Sequence, residues 1–220
     1  MPVRKIPKNY RNITGYVASS KNEDSTGFES GLEKDFFMIL DFDHNVQRYE
    51  EQPVRIEYLD RAGKSRTYTP DGLVVFRKDI VPAKDMCPWL CEIKYRNDLL
   101  NDWKKYKPKF KAARKYAKSR GWRFRILTEK EIRTPYLKNV KFLRPYRRVP
   151  ACSEFRELLL QAMFELREAD PQSLLLAVFQ DKWRRAELLP VLWRMVYEKR
   201  IGTDLTLPLT MHSRIWTTEI

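Results

Sequence analysis

Apolar and polar residues alternate in four stretches of the chain, and this pattern predicts four β-strands, the last of them over residues 122–127. The first strand covers residues 54–58 and the second covers 66–76, with a turn between them at 60–63. We expect a bend at Pro70, because proline has no N–H to donate to a neighbouring strand. The third strand covers residues 89–95. The first three strands predict a sheet in the first half of the chain.

The third strand carries charged residues at alternate positions. Leu90, Glu92 and Lys94 share one of its faces, since side chains two apart in a strand point the same way. The two charged side chains are therefore about 7 Å apart along the strand. If the second strand lies alongside, Asp71 reaches the same point.

A helix is predicted before these strands, over residues 29–42. Its apolar stripe includes Phe36 and Leu40, and Glu33 lies beside this stripe, at the border of the core. Ser30 stands three residues before that glutamate, which is the spacing of a helix N-cap with its reciprocal acid.

A second helix is predicted over residues 101–120, where Pro108 is expected to kink or split it. Its apolar stripe consists of Trp103, Tyr106, Phe110, Ala113 and Ala117. Residues 103–125 contain eleven Lys or Arg and no acid, which favours contact with phosphate over a merely solvated face. The residues predicted to contact DNA are Lys104, Lys105, Lys107, Lys109, Lys111, Arg114, Lys115 and Lys118.

Basic residues and prolines concentrate at 138–150, and we interpret this stretch as a linker. The change in composition predicts a catalytic domain over residues 1–148 and a smaller C-terminal domain over 149–220. A chain of 220 residues has room for two domains of this size.

The C-terminal domain is predicted to be helical over 153–168, 170–179 and 184–199, with a short β-ribbon continuing to Trp216. Three helices followed by a ribbon is the order of a winged helix. Some winged-helix modules bind DNA and others bind a partner protein, so both kinds of partner stay open.

The chain is strongly basic, with a formal net charge of +14 and a pI near 9.7. A surface with this charge favours a polyanionic partner, and nucleic acid is the leading class. The alternative is a basic protein without such a partner.

Other features of the sequence exclude whole classes of protein. No apolar run approaches the ~20 residues that span a bilayer, and residues 1–11 lack the apolar segment of a signal peptide, so no membrane partner is expected. An odd count of three cysteines argues against a disulfide framework and predicts a reducing cytoplasm. Cys87 and Cys91 have no second pair nearby in sequence, so we interpret them as buried thiols rather than zinc ligands.

Asp71, Glu92 and Lys94 together suit metal-dependent cleavage of a phosphodiester. Two carboxylates can hold a hard cation against the scissile phosphate, and the ammonium can hold or activate the attacking water. A Glu-x-Lys pair alone is more often an exposed strand face. The Pro-Asp pair upstream and the acid on the first helix favour a site instead. In a chain this basic, the combination points to a nuclease.

The residues resemble the TnsA family, the endonuclease subunits of heteromeric cut-and-paste DNA transposases. The resemblance covers most of the chain and is carried by Ser30-x-x-Glu33, Tyr49-Glu50-Glu51-Gln52-Pro53, Tyr68-x-Pro70-Asp71 and Glu92-Ile93-Lys94. It implies an α/β fold with a restriction-endonuclease-like mixed sheet flanked by helices, followed by a small winged-helix-like domain. It also places the protein in the cytoplasm of a prokaryote.

The resemblance implies that Glu33, Asp71, Glu92 and Lys94 form the catalytic set. Asp71, Glu92, the backbone carbonyl of Ile93 and Glu33 would then hold Mg²⁺, for which Mn²⁺ could substitute, and Lys94 would position the water. Some members of the family have Gln at the position of Glu92.

The same resemblance implies the partners. This chain would cut the 5′ ends of the transposon in double-stranded DNA, while a DDE-type transposase subunit (TnsB) joins the 3′ ends and an AAA+ ATPase regulator (TnsC) governs target choice. Two alternatives stay open: a free-standing restriction or repair nuclease of the PD-(D/E)xK superfamily, and a non-enzymatic adaptor that tethers DNA.

Overall fold

The computed structural model describes most of the chain. The described residues are 14–17, 19, 21–22, 25–79, 86–150 and 152–218. They form two compact units, divided between Arg133 and Thr134. The N-terminal segment 1–11, for which the absence of a signal peptide was expected, lies outside the described residues.

The first unit is built on a four-stranded mixed sheet. Its elements, in chain order, are β1 (Gly15–Val17), β2 (Thr26–Phe28), α1 (Gly31–Phe42), β3 (Val46–Glu51), β4 (Ile56–Leu59), β5 (Ser65–Tyr68), β6 (Gly72–Phe76), β7 (Trp89–Ile93), α2 (Arg96–Ser119), β8 (Arg123–Leu127) and α3 (Glu129–Ile132). The sheet has the order β3-β6-β7-β8. β6 pairs antiparallel with β3 and β7, whereas β8 runs parallel to β7. The parallel pair requires a crossover connection, and α2 supplies it.

The alternation along β7 separates two apolar clusters, one on each face of the sheet. Cys91 and Ile93 belong to a core shared with α1 and α3, whereas Leu90 packs with Phe110 of α2. The predicted division of this strand into two faces is confirmed. Glu92 lies on the α2 face with Leu90.

On that face α2 packs over β4 and β5, which form a separate antiparallel hairpin. The stripe of α2 is confirmed at Phe110, Ala113 and Ala117, which are buried, whereas Trp103 is 46% exposed. The helix begins at Arg96 rather than near residue 101. Its non-helical backbone lies at Asp102 and not at Pro108, so the break is six residues nearer the N-terminus than the proline predicts.

Strand β3 was not predicted, because its buried residues do not alternate. Val46 and Tyr49 are buried three positions apart, and most of the residues between and after them are charged or polar. A bulge between Val46 and Arg48 adds one residue to the strand, so both apolar side chains reach the same core. Tyr49 stacks on Phe37 of α1 with ring centroids 5.6 Å apart.

The second unit consists of helices and a small sheet. Its elements are α4 (Pro135–Leu143), a 3-10 helix (Arg144–Arg148), α5 (Ser153–Leu166), β9 (Glu168–Ala169), α6 (Pro171–Val178), α7 (Lys182–Tyr197), β10 (Ile201–Thr203) and β11 (Ile215–Thr217). The three strands form an antiparallel sheet in the order β10-β11-β9.

The prediction of a linker at 138–150 is wrong. This stretch is mostly helical, and Leu137, Val140 and Leu143 of α4 are buried. Asn139 is buried too, and its side-chain amide donates to the carbonyls of Leu205 (2.9 Å) and Leu207 (2.7 Å). Charged residues on the exposed positions of these helices produced the basic composition that suggested a linker. The predicted domain boundary after residue 148 stays a prediction.

The three later helices lie close to their predicted positions. Asp170 caps α6 by accepting from the backbone N–H of Ser173 at 3.0 Å, as the Asp-Pro pair predicts. α5 ends at Leu166 because Arg167 adopts a φ of 60°, and β9 follows where the helix was expected to continue.

The mixed sheet flanked by helices confirms the predicted α/β, restriction-endonuclease-like fold. The winged-helix assignment of the second unit stays a prediction. Within the described ranges, no helix combines the length and apolar character needed to cross a membrane.

Candidate active site

The predicted catalytic residues Asp71, Glu92 and Lys94 meet where β6 begins and β7 ends. Gly72 pairs with Cys91 in the sheet, which places the preceding Asp71 beside the end of β7. One oxygen of Asp71, Oδ2, accepts the backbone N–H of Ile93 at 2.6 Å. The alignment of two neighbouring strands therefore fixes this carboxylate.

Three oxygen atoms surround the ammonium of Lys94. Its Nζ lies 3.5 Å from Asp71 Oδ2, 3.6 Å from Glu92 Oε1 and 3.1 Å from the carbonyl oxygen of Ile93. These are the three strand residues that the sequence predicts as metal ligands. They converge on one cation in the structure, and that cation is the lysine.

Glu33, the fourth predicted residue, is held by its own helix start. Its carboxylate accepts the backbone N–H of Glu29 at 2.8 Å and the hydroxyl of Ser30 at 2.9 Å. Ser30 Oγ in turn accepts the backbone N–H of Glu33 at 3.2 Å, which confirms the predicted N-cap. Glu33 is 9% exposed, and no direct hydrogen bond joins it to Asp71, Glu92 or Lys94 among the described contacts.

Burial and like charge raise the pKa of the acids in this site. Burial, followed by the charge of Glu92, raises the pKa of Asp71 to about 8. Burial is also the main cause that raises the pKa of Glu33. Burial alone would lower the pKa of Lys94, but the attraction of Asp71, Glu92 and Glu33 outweighs it and raises that pKa. Lys94 is therefore an ammonium at neutral pH, which can donate and attract but cannot remove a proton.

Two further residues that contact Glu92 were missed as parts of the site. The hydroxyl of Tyr68 donates to Glu92 Oε2, and the ammonium of Lys109 donates to Glu92 Oε1 at 2.9 Å. Burial and the neighbouring charge of Glu92 raise the pKa of Tyr68, so it stays a protonated donor. A signal for Lys109 was present: it lies next to Phe110 and three residues after Tyr106, at the border of the apolar stripe of α2.

Gln52 connects the two sides of the site. Its backbone N–H donates to the carbonyl of Asp71 at 3.1 Å, and its side-chain amide donates to Glu29 at 2.9 Å. Its φ of 45° lies in the left-handed region, which is uncommon for a residue with a side chain. Such strain persists where surrounding contacts impose it, and here those contacts reach Asp71 and the start of α1.

Two cavities adjoin the site, and Lys94 and Tyr106 line both of them. The larger, of about 400 Å³, also holds Asp71 and Glu92; its other charged lining residues are Arg55, Lys105 and Lys109. The smaller, of about 280 Å³, has the acids Glu29, Glu33 and Asp98 in its lining. The site therefore has a side rich in cations and a side rich in anions.

The residues predicted to contact DNA lie along α2. Seven of them are exposed: Lys104, Lys105, Lys107, Lys111, Arg114, Lys115 and Lys118. Lys109 differs, because its side chain is 16% exposed and is paired with Glu92.

The donor set suits a hard divalent cation. Two carboxylates and a backbone carbonyl converge on one position, and oxygen ligands of this kind are what Mg²⁺ prefers. Among the described residues, no group of three His, Cys, Asp or Glu side chains is arranged to hold a metal. Two side chains and one backbone oxygen are therefore the set that the strands supply. The thiol of Cys91 is buried, and Cys87 is half-buried.

Comparison with known families gives two adjacent matches. A family model described as TnsA-like endonuclease N terminal matches residues 43–129, and one described as TnsA endonuclease C terminal matches residues 131–205. Comparison with curated proteins finds no match. The two models follow each other along the chain in the order their descriptions require, and they cover the strands that carry Asp71, Glu92 and Lys94. The chain therefore belongs to the TnsA-like endonuclease family, the endonuclease subunits of Tn7-type transposases.

Proposed function

We propose that this protein is a Mg²⁺-dependent DNA endonuclease subunit that hydrolyses one phosphodiester at each 5′ end of its transposon. The observation that supports this most is that oxygens of Asp71, Glu92 and the Ile93 carbonyl gather around one cation, the Lys94 ammonium, and could together hold a metal ion. The strong positive charge of the chain supports DNA as the substrate.

Asp71, Glu92 and the carbonyl of Ile93 would hold the metal. When bound, a divalent ion supplies Lewis-acid stabilisation of the phosphate and a more acidic water. Asp71 is kept in position by the N–H of Ile93. Burial, followed by the charge of Glu92, raises its pKa, and a bound cation would favour its charged form.

Lys94 contributes positive charge beside the reacting phosphate. Its raised pKa keeps it an ammonium, so it can donate hydrogen bonds to the attacking water or to a phosphate oxygen. Glu33 faces the smaller cavity from the start of α1, and we assign it the orientation of water on that side rather than direct metal binding.

The larger cavity is the proposed entrance for the DNA backbone. Arg55 and Lys105 line it beside the catalytic carboxylates, and the exposed lysines of α2 continue the positive surface along the helix. Phosphate contacts of this kind supply affinity without sequence preference.

The element order α5-β9-α6-α7-β10-β11 supports a winged-helix-like role for the second unit. We assign it to DNA or to a partner protein, with the DDE-type transposase and the AAA+ ATPase as the proposed partners.

The test is nicking of transposon-end DNA by the chain reconstituted with its partner transposase. Asp71→Ala should abolish 5′ nicking while DNA affinity stays unchanged, and Asp79→Ala is the control because Asp79 is exposed and pairs with Arg77, away from the candidate site. Retained 5′ nicking in Asp71→Ala would overturn the proposal. Efficient cutting by the purified chain alone would favour a free-standing nuclease instead.

A further inference from the structure

The carboxylate of Glu92 is held at both of its oxygens by residues outside β7. Tyr68 donates its hydroxyl to Oε2, and Lys109 donates its ammonium to Oε1. The glutamate is 1% exposed, so water does not replace these contacts. The two donors come from different elements, since Tyr68 ends β5 and Lys109 lies in the middle of α2.

Lys109 is fixed by aromatic rings as well as by its ion pair. Its Nζ lies 4.5 Å from the centroid of the Tyr68 ring, 4.8 Å from that of Tyr106 and 5.2 Å from that of Phe110. Cation–π contacts of this kind stabilise an ammonium that has lost part of its water. Tyr68 is itself packed against Phe110, with ring centroids 6.4 Å apart. A long, flexible side chain is thereby confined to one place.

We propose that Tyr68 and Lys109 form a clamp that holds the Glu92 carboxylate in the orientation that binds the metal. The clamp rests on the proposed function, because it assigns Glu92 to the metal. Both members are positioning residues: they act on the metal through Glu92.

The need for a clamp follows from the chemistry of the ligand. A free glutamate side chain has three rotatable bonds, and each orientation lost on metal binding costs free energy. Residues that hydrogen-bond a ligating carboxylate, without touching the metal, fix its orientation before the metal binds. Loss of one such residue lowers metal affinity by about 10- to 100-fold.

A simple charge argument predicts the opposite change in metal affinity when Lys109 is replaced. Lys109 and the metal are both cations near the same oxygen, so removing the lysine would relieve repulsion and tighten metal binding if position did not matter. The sign of the change in affinity therefore separates a clamp from a mere neighbouring charge.

The experiment is a calorimetric titration of the full-length chain with MnCl₂. We expect Lys109→Met to weaken Mn²⁺ binding by about tenfold or more, and Tyr68→Phe to weaken it by severalfold while keeping the ring. Lys109→Arg should restore most of the affinity, because it keeps a cationic donor. Lys130→Met is the control, since it removes the same charge from an exposed position on α3 and should change nothing.

A second readout needs no metal. In the metal-free protein, Lys109→Met should lower the melting temperature, and most of this loss should vanish in a Glu92→Ala background, because the two residues are direct partners. Additive losses would overturn the contact on which the clamp depends.

The outcomes of the titration are distinct. Unchanged or tighter Mn²⁺ binding in Lys109→Met would overturn the clamp while leaving the proposed function intact. Absence of Mn²⁺ binding in the wild type would overturn the proposed function and, with it, the role of the clamp.

Discussion

The two faces of the central sheet hold their buried glutamates by different kinds of contact. On the α1 face, Glu33 is bonded to Glu29 and Ser30, its neighbours in the chain. On the α2 face, Glu92 is bonded to Tyr68 and Lys109, which are 24 and 17 residues away. The first carboxylate thus stabilises a local helix start, whereas the second depends on the tertiary fold.

This difference indicates which of the two glutamates is positioned to bind a metal. The carboxylate oxygens of Glu33 accept hydrogen bonds from a backbone N–H and a hydroxyl, which are the contacts that an ordinary helix cap makes. Glu92 is surrounded by two ammonium groups and a phenol in a site shared with Asp71. We therefore expect the α2 face to dominate metal binding and cleavage, with α1 contributing position and stability.

The largest expected effect compares the two glutamates directly. Glu92→Ala should lower the rate of 5′ nicking by at least about 10³-fold, since it removes a proposed metal ligand worth several kcal/mol in the transition state. Glu33→Ala should lower it by about tenfold to a hundredfold, because its proposed action is through water. Single-turnover nicking assays with the partner transposase measure both rates. An equal loss of rate in the two variants would contradict the proposal that the α2 face dominates cleavage.

The next effect concerns pH and the stability of the metal-free protein. Asp71 has a pKa of about 8 in the folded protein and about 4 when unfolded, so the folded state keeps a proton that the unfolded chain releases. The contribution of Asp71 to the free energy of unfolding is therefore greatest below about pH 4, and it decreases as the pH rises towards 8. The melting temperature should therefore fall over this range.

Asp71→Asn is the matched variant for that measurement, since it cannot titrate. Its melting temperature should depend less on pH between about 4.5 and 8 than that of the wild type. Parallel pH profiles for the two proteins would show that Asp71 is not the titrating group.

A smaller effect is expected at the start of α1. Ser30→Ala removes the hydroxyl that caps the helix and donates to Glu33, so the free energy of unfolding should fall by about 1 kcal/mol. Chemical denaturation measures this value. Mn²⁺ affinity should change by less than about threefold, and a larger loss would mean that the cap also positions the metal site.

The smallest effect belongs to the exposed lysines of α2. DNA affinity should fall steeply with salt, and Lys105→Met should reduce the slope of log affinity against log salt by about one. Fluorescence anisotropy with duplex DNA at several salt concentrations gives the slope. Arg120→Met is a control at the residue that follows the helix, outside the predicted contact set. A slope that Lys105→Met leaves unchanged would withdraw that phosphate contact.

The same contrast between local and distant contacts explains what the sequence could predict. Ser30 and Glu33 are three residues apart, and the alternation along β7 is visible in consecutive letters, so the cap and the two faces were predicted correctly. The pairing of β6 with β7 follows from antiparallel strands, and it brings Asp71 to Lys94 as expected.

Contacts between distant elements were not visible in the same way. The bulge in β3 hides its alternation, and the exposed charges of α4 conceal a helix whose buried face binds the segment near Leu205. Lys109 was grouped with its exposed neighbours although it borders the apolar stripe of α2, because its ion-pair partner lies in a strand 17 residues earlier. The number of lysines in a helix does not show which of their side chains is buried.

The central claim is that Asp71 and Glu92 hold a divalent metal in this site. Calorimetric titration of the full-length wild type, Asp71→Ala and Asp79→Ala with MnCl₂ tests it most directly. We predict binding in the wild type and in Asp79→Ala, and none in Asp71→Ala at the same concentrations. Equal Mn²⁺ affinity in Asp71→Ala and the wild type would contradict the account.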